Sequence, residues 1–175
     1  MTVRTPVVPA GGSAINPGRP AAENPGMPRI LVIEDEPAIS NLLRIILEND
    51  GHEVLVADDG SRGLATAARR SPDVIILDVM MPFMDGFAVL EALREDERTA
   101  TIPVMMLSAI QKEAVEERCY RMGAQSFVRK PFDPEMLLGT VQEMLAAPVP
   151  LKVEQIAREP REMPLSVILA WRGGA

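Results

Sequence analysis

The sequence predicts a doubly wound α/β fold, a three-layer sandwich in which a five-stranded parallel sheet lies between two layers of helices. Short apolar runs alternate strictly with amphipathic segments between residues 29 and 147. Most of the runs are apolar throughout, which is typical of parallel strands that are buried on both faces. Strands that alternate with helices in this way form parallel sheets covered by helices on both sides.

The first two strand–helix pairs show the pattern clearly. A strand is predicted at residues 29–33, and Pro37 then opens a helix at a position where its missing N–H costs nothing. Apolar residues recur at helical spacing until Gly51, which suits a helix end. A second strand at residues 52–57 and a second helix at residues 61–70 follow.

Three further pairs complete the alternation. The predicted strands cover residues 74–77, 104–107 and 126–129, and the predicted helices cover residues 87–95, 112–122 and a segment starting at Pro134. Gly123 ends the fourth helix, and Asp133 is placed to cap the fifth. Cys119 has inward spacing on the fourth helix and is expected in the core.

Proline and charge divide the chain into three parts. Residues 1–28 are rich in proline and glycine and predict a disordered arm, because such a stretch buries too little apolar surface. Residues 148–175 are expected to form a short tail rather than a separate output domain, and they contain an apolar run at residues 165–171. The whole chain carries −7 and each end carries +1, which leaves −9 for residues 29–147.

Composition excludes several classes of protein. The acidic balance argues against direct binding of DNA, which selects a basic surface. A single cysteine excludes an internal disulfide framework and a multi-cysteine zinc site. The sequence has neither a long apolar run nor a signal-peptide pattern, so we expect a cytoplasmic protein without a membrane span.

Polar side chains follow four of the five predicted strands. They are Glu34 and Asp35 after the first strand, Asp78 after the third, Ser108 after the fourth and Lys130 after the fifth. Ligands of doubly wound sheets bind at the carboxyl ends of the strands, where these residues are expected to converge. Close carboxylates raise one another's pKa and are tolerated beside a hard cation such as Mg²⁺. A lysine and a hydroxyl suit a phosphoryl group, and a carboxylate suits a nucleophile.

Taken singly, each of these residues has an ordinary structural interpretation. Acids after strands are often solvated loop residues or helix caps, a serine is often a cap, and a lysine is often a surface cation. Their joint placement at the ends of successive buried strands favours a functional site.

The sequence resembles the receiver domain of two-component response regulators. The resemblance covers residues 29–147 and rests on four runs, ILVIEDEP, DVIILDVMMPFMDG, VMMLSA and FVRKPF. Asp78 lies 30 residues before Ser108 and 52 before Lys130, as is usual in the family. The resemblance implies a flavodoxin-like sheet with strand order 2-1-3-4-5.

The resemblance also implies a metal site and a phosphoacceptor. It assigns Asp78 as the phosphoacceptor, and Asp35, Glu34 and the backbone carbonyl of Met80 as further contacts of Mg²⁺. Gly86 is expected in a loop where a side chain would obstruct the turn. The phosphodonor would be a histidine kinase or a histidine phosphotransfer protein, and phosphorylation and slow self-dephosphorylation would make the chain a switch rather than a turnover enzyme.

The resemblance gives the remaining residues roles in the response. Lys130, in a cis peptide bond with Pro131, would pair with the phosphoryl oxygens and Ser108 would hydrogen-bond one of them, while Phe127 would move inward as the switch. The output would be contact with a downstream protein, and dimerisation on phosphorylation is left open. Apolar cover from Met80 and Ile110 predicts a long-lived aspartyl phosphate.

Two alternatives compete with this interpretation. A phosphate-independent scaffold of the same fold would be expected to lack part of the acid set, which is complete here. A phosphohydrolase of the haloacid dehalogenase type would carry a second aspartate two residues after the nucleophile, where this chain has Met80.

Overall fold

The computed structural model describes residues 26–146, which form five strands and five helices in strict alternation. The strands are β1 (Arg29–Ile33), β2 (Glu53–Ala57), β3 (Val74–Asp78), β4 (Val104–Ser108) and β5 (Ser126–Arg129). The helices are α1 (Pro37–Asn49), α2 (Gly60–Arg70), α3 (Gly86–Glu95), α4 (Glu113–Arg121) and α5 (Pro134–Ala146). Almost all of the predicted N-terminal arm and the whole C-terminal tail lie outside the described residues.

The sheet has the order β2-β1-β3-β4-β5 and all its pairings are parallel, which confirms the predicted fold class. β1 pairs with β2 on one side and with β3 on the other, so that Leu31 lies between Leu55 and Ile75. The direction of strand addition therefore reverses between β1 and β3. In doubly wound sheets this reversal opens a crevice at the carboxyl ends of the two strands.

Alternating residues of the central strands supply two separate cores. Leu31, Ile75 and Met106 point to the layer that α2, α3 and α4 cover. Their neighbours in sequence point to the layer that α1 and α5 cover, where Leu43 and Val141 are fully buried. Burial on both faces explains why the strands read as continuous apolar runs.

The structure shifts several predicted boundaries. β3 and β4 each include one more residue than predicted, Asp78 and Ser108, because ladder pairing continues to Leu107 and Arg129 on the neighbouring strands. His52 precedes β2 rather than opening it, since its N–H donates to the carbonyl oxygen of Leu47 at 3.1 Å and closes the end of α1.

The caps and the lone cysteine follow the sequence. The Asp133 carboxylate accepts from the N–H of Met136 at 2.9 Å in the first turn of α5. Gly51 and Gly123 have φ values of +85° and +93° after α1 and α4, a conformation that favours glycine. Cys119 is fully buried in the core. Among residues 26–146, every helix is too short or too polar to cross a bilayer.

Candidate functional site

Three carboxylates meet at the carboxyl ends of β1 and β3. Glu34 and Asp35 follow β1 directly, and Asp78 is the last residue of β3. One carboxylate oxygen from each of the three lies within 4.8 Å of the others. Because β1 and β3 are neighbours in the sheet, residues that are 44 positions apart in sequence come together at one edge.

Lys130 follows the edge strand β5, and its side chain extends to this cluster. Its Nζ lies 2.7 Å from Oε2 of Glu34 and 2.9 Å from Oδ1 of Asp78. The N–H of Lys130 donates to the carbonyl oxygen of Ser108 at 2.8 Å, which fixes the start of the side chain at the end of β5. The Lys130–Pro131 peptide bond is cis. One ammonium thus contacts two carboxylates that are almost completely buried.

Burial dominates the electrostatics of the pocket. It raises the pKa of Asp78 and of Glu34 above their ordinary values, and Lys130 offsets only part of this effect. The negative charge of Asp35 raises the pKa of Asp78 further. Burial alone would lower the pKa of Lys130, but hydrogen bonds to both acids raise it above its ordinary value. The pocket therefore concentrates more negative charge than one ammonium balances.

This donor set fits a divalent cation. Three carboxylates whose oxygens lie within 4.8 Å of one another offer the hard ligands that Mg²⁺ prefers, and two of them have their charged form disfavoured by burial. Glu34 also accepts a hydrogen bond from the N–H of Glu36 at 3.3 Å, which orients its carboxylate.

The segment between β3 and α3 folds tightly against Asp78. The N–H of Gly86 donates to the carbonyl oxygen of Val79 at 3.0 Å. A Cβ on Gly86 would collide with the carbonyl oxygen of Asp78 and would lie 2.8 Å from Cα of Val79. Gly86 is the first residue of α3 rather than a loop residue as the sequence predicts, and it is needed there because a helix begins against the backbone of β3.

An open pocket of about 800 Å³ surrounds the acids. Besides the acidic residues and Lys130, its wall includes the apolar side chains of Ile39, Leu42, Met80 and Phe132. The Met80 side chain is more than half exposed. The pocket is thus an acidic centre with an apolar rim.

Ser108 and Phe127 occupy different surroundings from the four charged residues. Ser108 is fully buried, and its Oγ accepts from the N–H of Ile110 at 3.0 Å. In the described part of the chain, its neighbour Ala109 lines the pocket and Ser108 does not. Phe127 is partly buried and packs against the core beneath α2, α3 and α4.

Sequence reasoning missed two features of the site. The contact between Lys130 and Glu34 joins residues 96 positions apart, and no periodicity signals it. Phe83 is fully exposed in the loop after β3 and has a φ of +65°, in the left-handed region that bulky residues rarely adopt. Pro82 and Gly86 indicate a turn in this segment, but neither indicates the backbone conformation of Phe83.

The fold and the pocket together define a class of protein, and comparison with known proteins gives its family. The profile of the response regulator receiver domain matches residues 30–142. The chain belongs to this family.

Two relatives illustrate the range of proteins that share the domain. The chain is 48% identical over 119 residues to the DNA-binding dual master transcriptional regulator RpaA of Synechocystis, a match that covers 68% of this chain and 49% of that protein. It therefore spans about half the length of RpaA. It is 38% identical over 120 residues to the protein PilH of Pseudomonas aeruginosa, covering 69% of this chain and 99% of PilH.

Solved structures show the same fold. The chemotaxis protein CheY4 of Vibrio cholerae is 35% identical, with a TM-score of 0.65 over 67% of this chain and 98% of that one. The receiver domain of the sensor histidine kinase PA1611 from Pseudomonas aeruginosa is 26% identical, with a TM-score of 0.65 over 69% of this chain and 99% of that one. In that structure a magnesium ion is coordinated in the active-site cleft.

Proposed function

We propose that this chain is a Mg²⁺-dependent phosphoacceptor that takes a phosphoryl group from a phosphohistidine onto Asp78. The donor would be a histidine kinase or a histidine phosphotransfer protein. The observation that carries the proposal is the placement of the Lys130 ammonium 2.9 Å from Oδ1 of Asp78, inside a cluster of three carboxylates. A nucleophilic carboxylate beside a fixed cation is what transfer of an anionic group requires.

The transfer is a displacement at phosphorus. An oxygen of Asp78 attacks in line, the bond between phosphorus and the imidazole nitrogen breaks, and the nitrogen leaves with the bonding electrons. The product is a mixed anhydride on Asp78, which water later hydrolyses to inorganic phosphate. Both steps rely on positioning and charge neutralisation more than on covalent chemistry by other side chains.

The remaining residues hold charge around the transferred group. Lys130 would pair with the phosphoryl oxygens, and its place on the Asp78 carboxylate already fits this role. The carboxylates of Glu34 and Asp35, with that of Asp78 and the backbone carbonyl of Met80, would hold Mg²⁺. When bound, Mg²⁺ supplies neutralisation of the charge on the phosphoryl oxygens.

The switch would run through Ser108 and Phe127. Oγ of Ser108 accepts one backbone hydrogen bond from Ile110, and turning toward a phosphoryl oxygen as a donor would alter the segment that follows β4. Phe127 is only partly buried, so a move inward would bury more of its ring. Phosphorylation would then favour one of two arrangements that already exist.

The response is proposed to pass to a downstream protein by direct contact. The matched segment makes up 99% of PilH, which is compatible with output through the receiver domain itself, and 49% of the DNA-binding regulator RpaA. The acidic charge of residues 29–147, −9 in a chain of −7 with +1 at each end, also disfavours contact with phosphates of DNA.

Phosphorylation by a small donor tests the proposal. The full chain is incubated with Mg²⁺ and acetyl phosphate, and intact mass is measured. We expect the mass of one phosphoryl group to be added to the wild type and to Asp58→Ala, which removes an exposed carboxylate just beyond β2. Asp78→Ala should gain nothing. A wild type that stays unmodified, or an Asp78→Ala variant that is modified equally, contradicts the assignment.

The same experiment separates the alternatives. A phosphate-independent scaffold would show no added mass with any variant. A phosphohydrolase would release inorganic phosphate through many turnovers with excess donor, whereas the proposed switch hydrolyses slowly. Met80 stands where that class of enzyme needs a second aspartate, and its side chain offers no proton for a leaving group.

A further inference from the structure

The outer face of α1 leaves two large apolar side chains in solvent beside the acidic pocket. Leu42 is 49% exposed and Ile45 is 51% exposed, at helix positions where polar residues are usual. They are three residues apart and therefore form one surface. Ile39 and Leu42 also line the pocket, so the surface continues to its rim. We call Ile39, Leu42 and Ile45 the α1 patch.

The last described helix, α5, ends beside the carboxyl end of α1. α5 packs beside α1, and Nε2 of Gln142 donates to Oδ2 of Asp50 at 3.3 Å, just past the end of α1. The described part of α5 ends four residues later, at Ala146. The described part of the chain therefore ends close to the carboxyl end of α1.

The sequence beyond that point contains a segment that matches the α1 patch in chemistry. Residues 165–171 read LSVILAW and carry no charge. The next charged side chain is Arg172, and there is no acid between residues 163 and 175. Glu34, Asp35 and Glu36 give the pocket end of the patch an acidic border. The segment thus matches the patch in apolar character, and Arg172 beside it complements the acidic border.

The connecting residues are long enough for the segment to reach the patch. Leu42 lies eight residues before Asp50, which is about 12 Å along a helix. The connection comprises the 18 residues 147–164, which can span at most about 60 Å when extended. No strain is needed to bring residues 165–171 alongside α1.

We propose that residues 165–171 dock in cis on the α1 patch, at the rim of the acidic pocket. Tethering gives the segment an effective concentration in the millimolar range, so even a contact with a millimolar dissociation constant would be about half occupied. The regulatory consequence rests on the proposed phosphoacceptor function, because the α1 patch borders the pocket that the phosphodonor must enter. The tail would compete with the donor and slow phosphorylation.

Trp171 is the only tryptophan of the chain and reports on docking directly. Acrylamide quenching of its fluorescence is measured in the full chain and in a peptide of residues 147–175. We expect the quenching constant of the full chain to be about half that of the peptide, in line with the occupancy above. Leu42→Gln combined with Ile45→Gln should restore the peptide value.

Two further variants guard the interpretation. Tyr120→Gln changes a side chain that is 46% exposed on α4, in the opposite helical layer, and should leave the protection of Trp171 intact. Val167→Gln combined with Leu169→Gln leaves residues 26–146 unaltered and should release Trp171. Quenching equal to that of the peptide, or protection that survives the α1 variant, overturns the proposal. Protection that grows with protein concentration shows docking on a second copy and overturns docking in cis.

Phosphorylation by acetyl phosphate with Mg²⁺ tests the regulatory consequence. The Val167→Gln, Leu169→Gln chain should be phosphorylated about twofold faster than the wild type, because the α1 patch at the pocket rim is occupied about half of the time in the wild type. Equal rates, with Trp171 released, would overturn the regulation. If neither chain is phosphorylated, the phosphoacceptor function fails, whereas the fluorescence result still decides whether the tail docks.

Discussion

Replacing Lys130 with methionine tests whether one ammonium allows two buried carboxylates to share the pocket. The side chains of Lys130, Glu34 and Asp78 are 13%, 1% and 5% exposed, with contacts of 2.7 and 2.9 Å. Methionine keeps an unbranched apolar stem and removes the charge. Breaking a buried ion pair from one side costs about 3–5 kcal/mol. Since Lys130 is partly solvated, we expect a loss of about 3 kcal/mol at neutral pH without divalent cations.

The loss should depend on pH in a defined direction. In the folded protein, the pKa values of Glu34 and Asp78 lie above their ordinary values of 4.5 and 3.8. The free energy of unfolding therefore falls as the pH rises from the ordinary pKa values through the raised ones. Lys130 lowers both pKa values, so its removal widens this window. Its own raised pKa means that its contribution is present below the ordinary value of 10.5 and is lost only as pH rises through the raised one.

Urea unfolding followed by circular dichroism, with a chelator present, measures the effect at neutral and acid pH. Lys112→Met makes the same chemical change at an exposed lysine and should alter stability by less than about 0.5 kcal/mol. Lys130→Met should be much less stable than this control at neutral pH and close to it in acid, where the carboxylates are protonated. A neutral-pH loss no larger than that of the control would refute the reasoning.

Three further predictions concern the same site. Gly86→Ala should lower the free energy of unfolding by more than about 2 kcal/mol, measured by thermal unfolding, because the added Cβ would meet the β3 backbone. The control Gly139→Ala should not destabilise the protein, because nothing lies within 4 Å of a Cβ at that position. Equal effects of the two substitutions would contradict the close approach at Gly86. Asp78→Asn should raise the free energy of unfolding at neutral pH without divalent cations, because the raised pKa of Asp78 means that its charged form destabilises the folded state. This gain should vanish as the pH falls toward 3.8, and a variant less stable than the wild type at neutral pH would contradict the prediction. Met80→Asn with Ile110→Glu should shorten the life of the aspartyl phosphate, measured by phosphate release, because polar side chains would admit and orient water; an unchanged decay rate would end the idea.

The order of elements could be predicted from the sequence because burial on both faces makes each strand a continuous apolar run. The ends of those runs located the strand ends only to within one residue. Asp78 and Ser108 are polar, yet they belong to β3 and β4, because ladder pairing depends on the backbone of the neighbouring strand. The predicted helix starts also differ from the observed ones by about one residue. α3, for example, begins at Gly86, because the Asp85 carboxylate caps the helix by accepting from the N–H of Ala88 at 2.8 Å.

The composition of the site could also be predicted, but its internal contacts could not. Parallel strands end at a common edge, so Glu34, Asp78 and Lys130 had to lie near one another once the fold was known. The choice of carboxylate depends on how far the Lys130 side chain extends from the end of β5 toward β3 and β1. The sequence does not indicate this. The burial of Ser108 likewise follows from packing around the end of β4, which its position in the chain does not reveal.

The shared position of Lys130 has a consequence for the proposed switch. In the structure described here, its ammonium balances Glu34 and Asp78 at once. A phosphoryl group on Asp78 brings additional negative charge and competes with Glu34 for that ammonium. Glu34, nearly fully buried, would then need another cation, and the divalent site is the place where one can be held. Under the proposed function, binding of Mg²⁺ and stability of the aspartyl phosphate would therefore favour each other, and linkage requires that coupling to be equal in both directions.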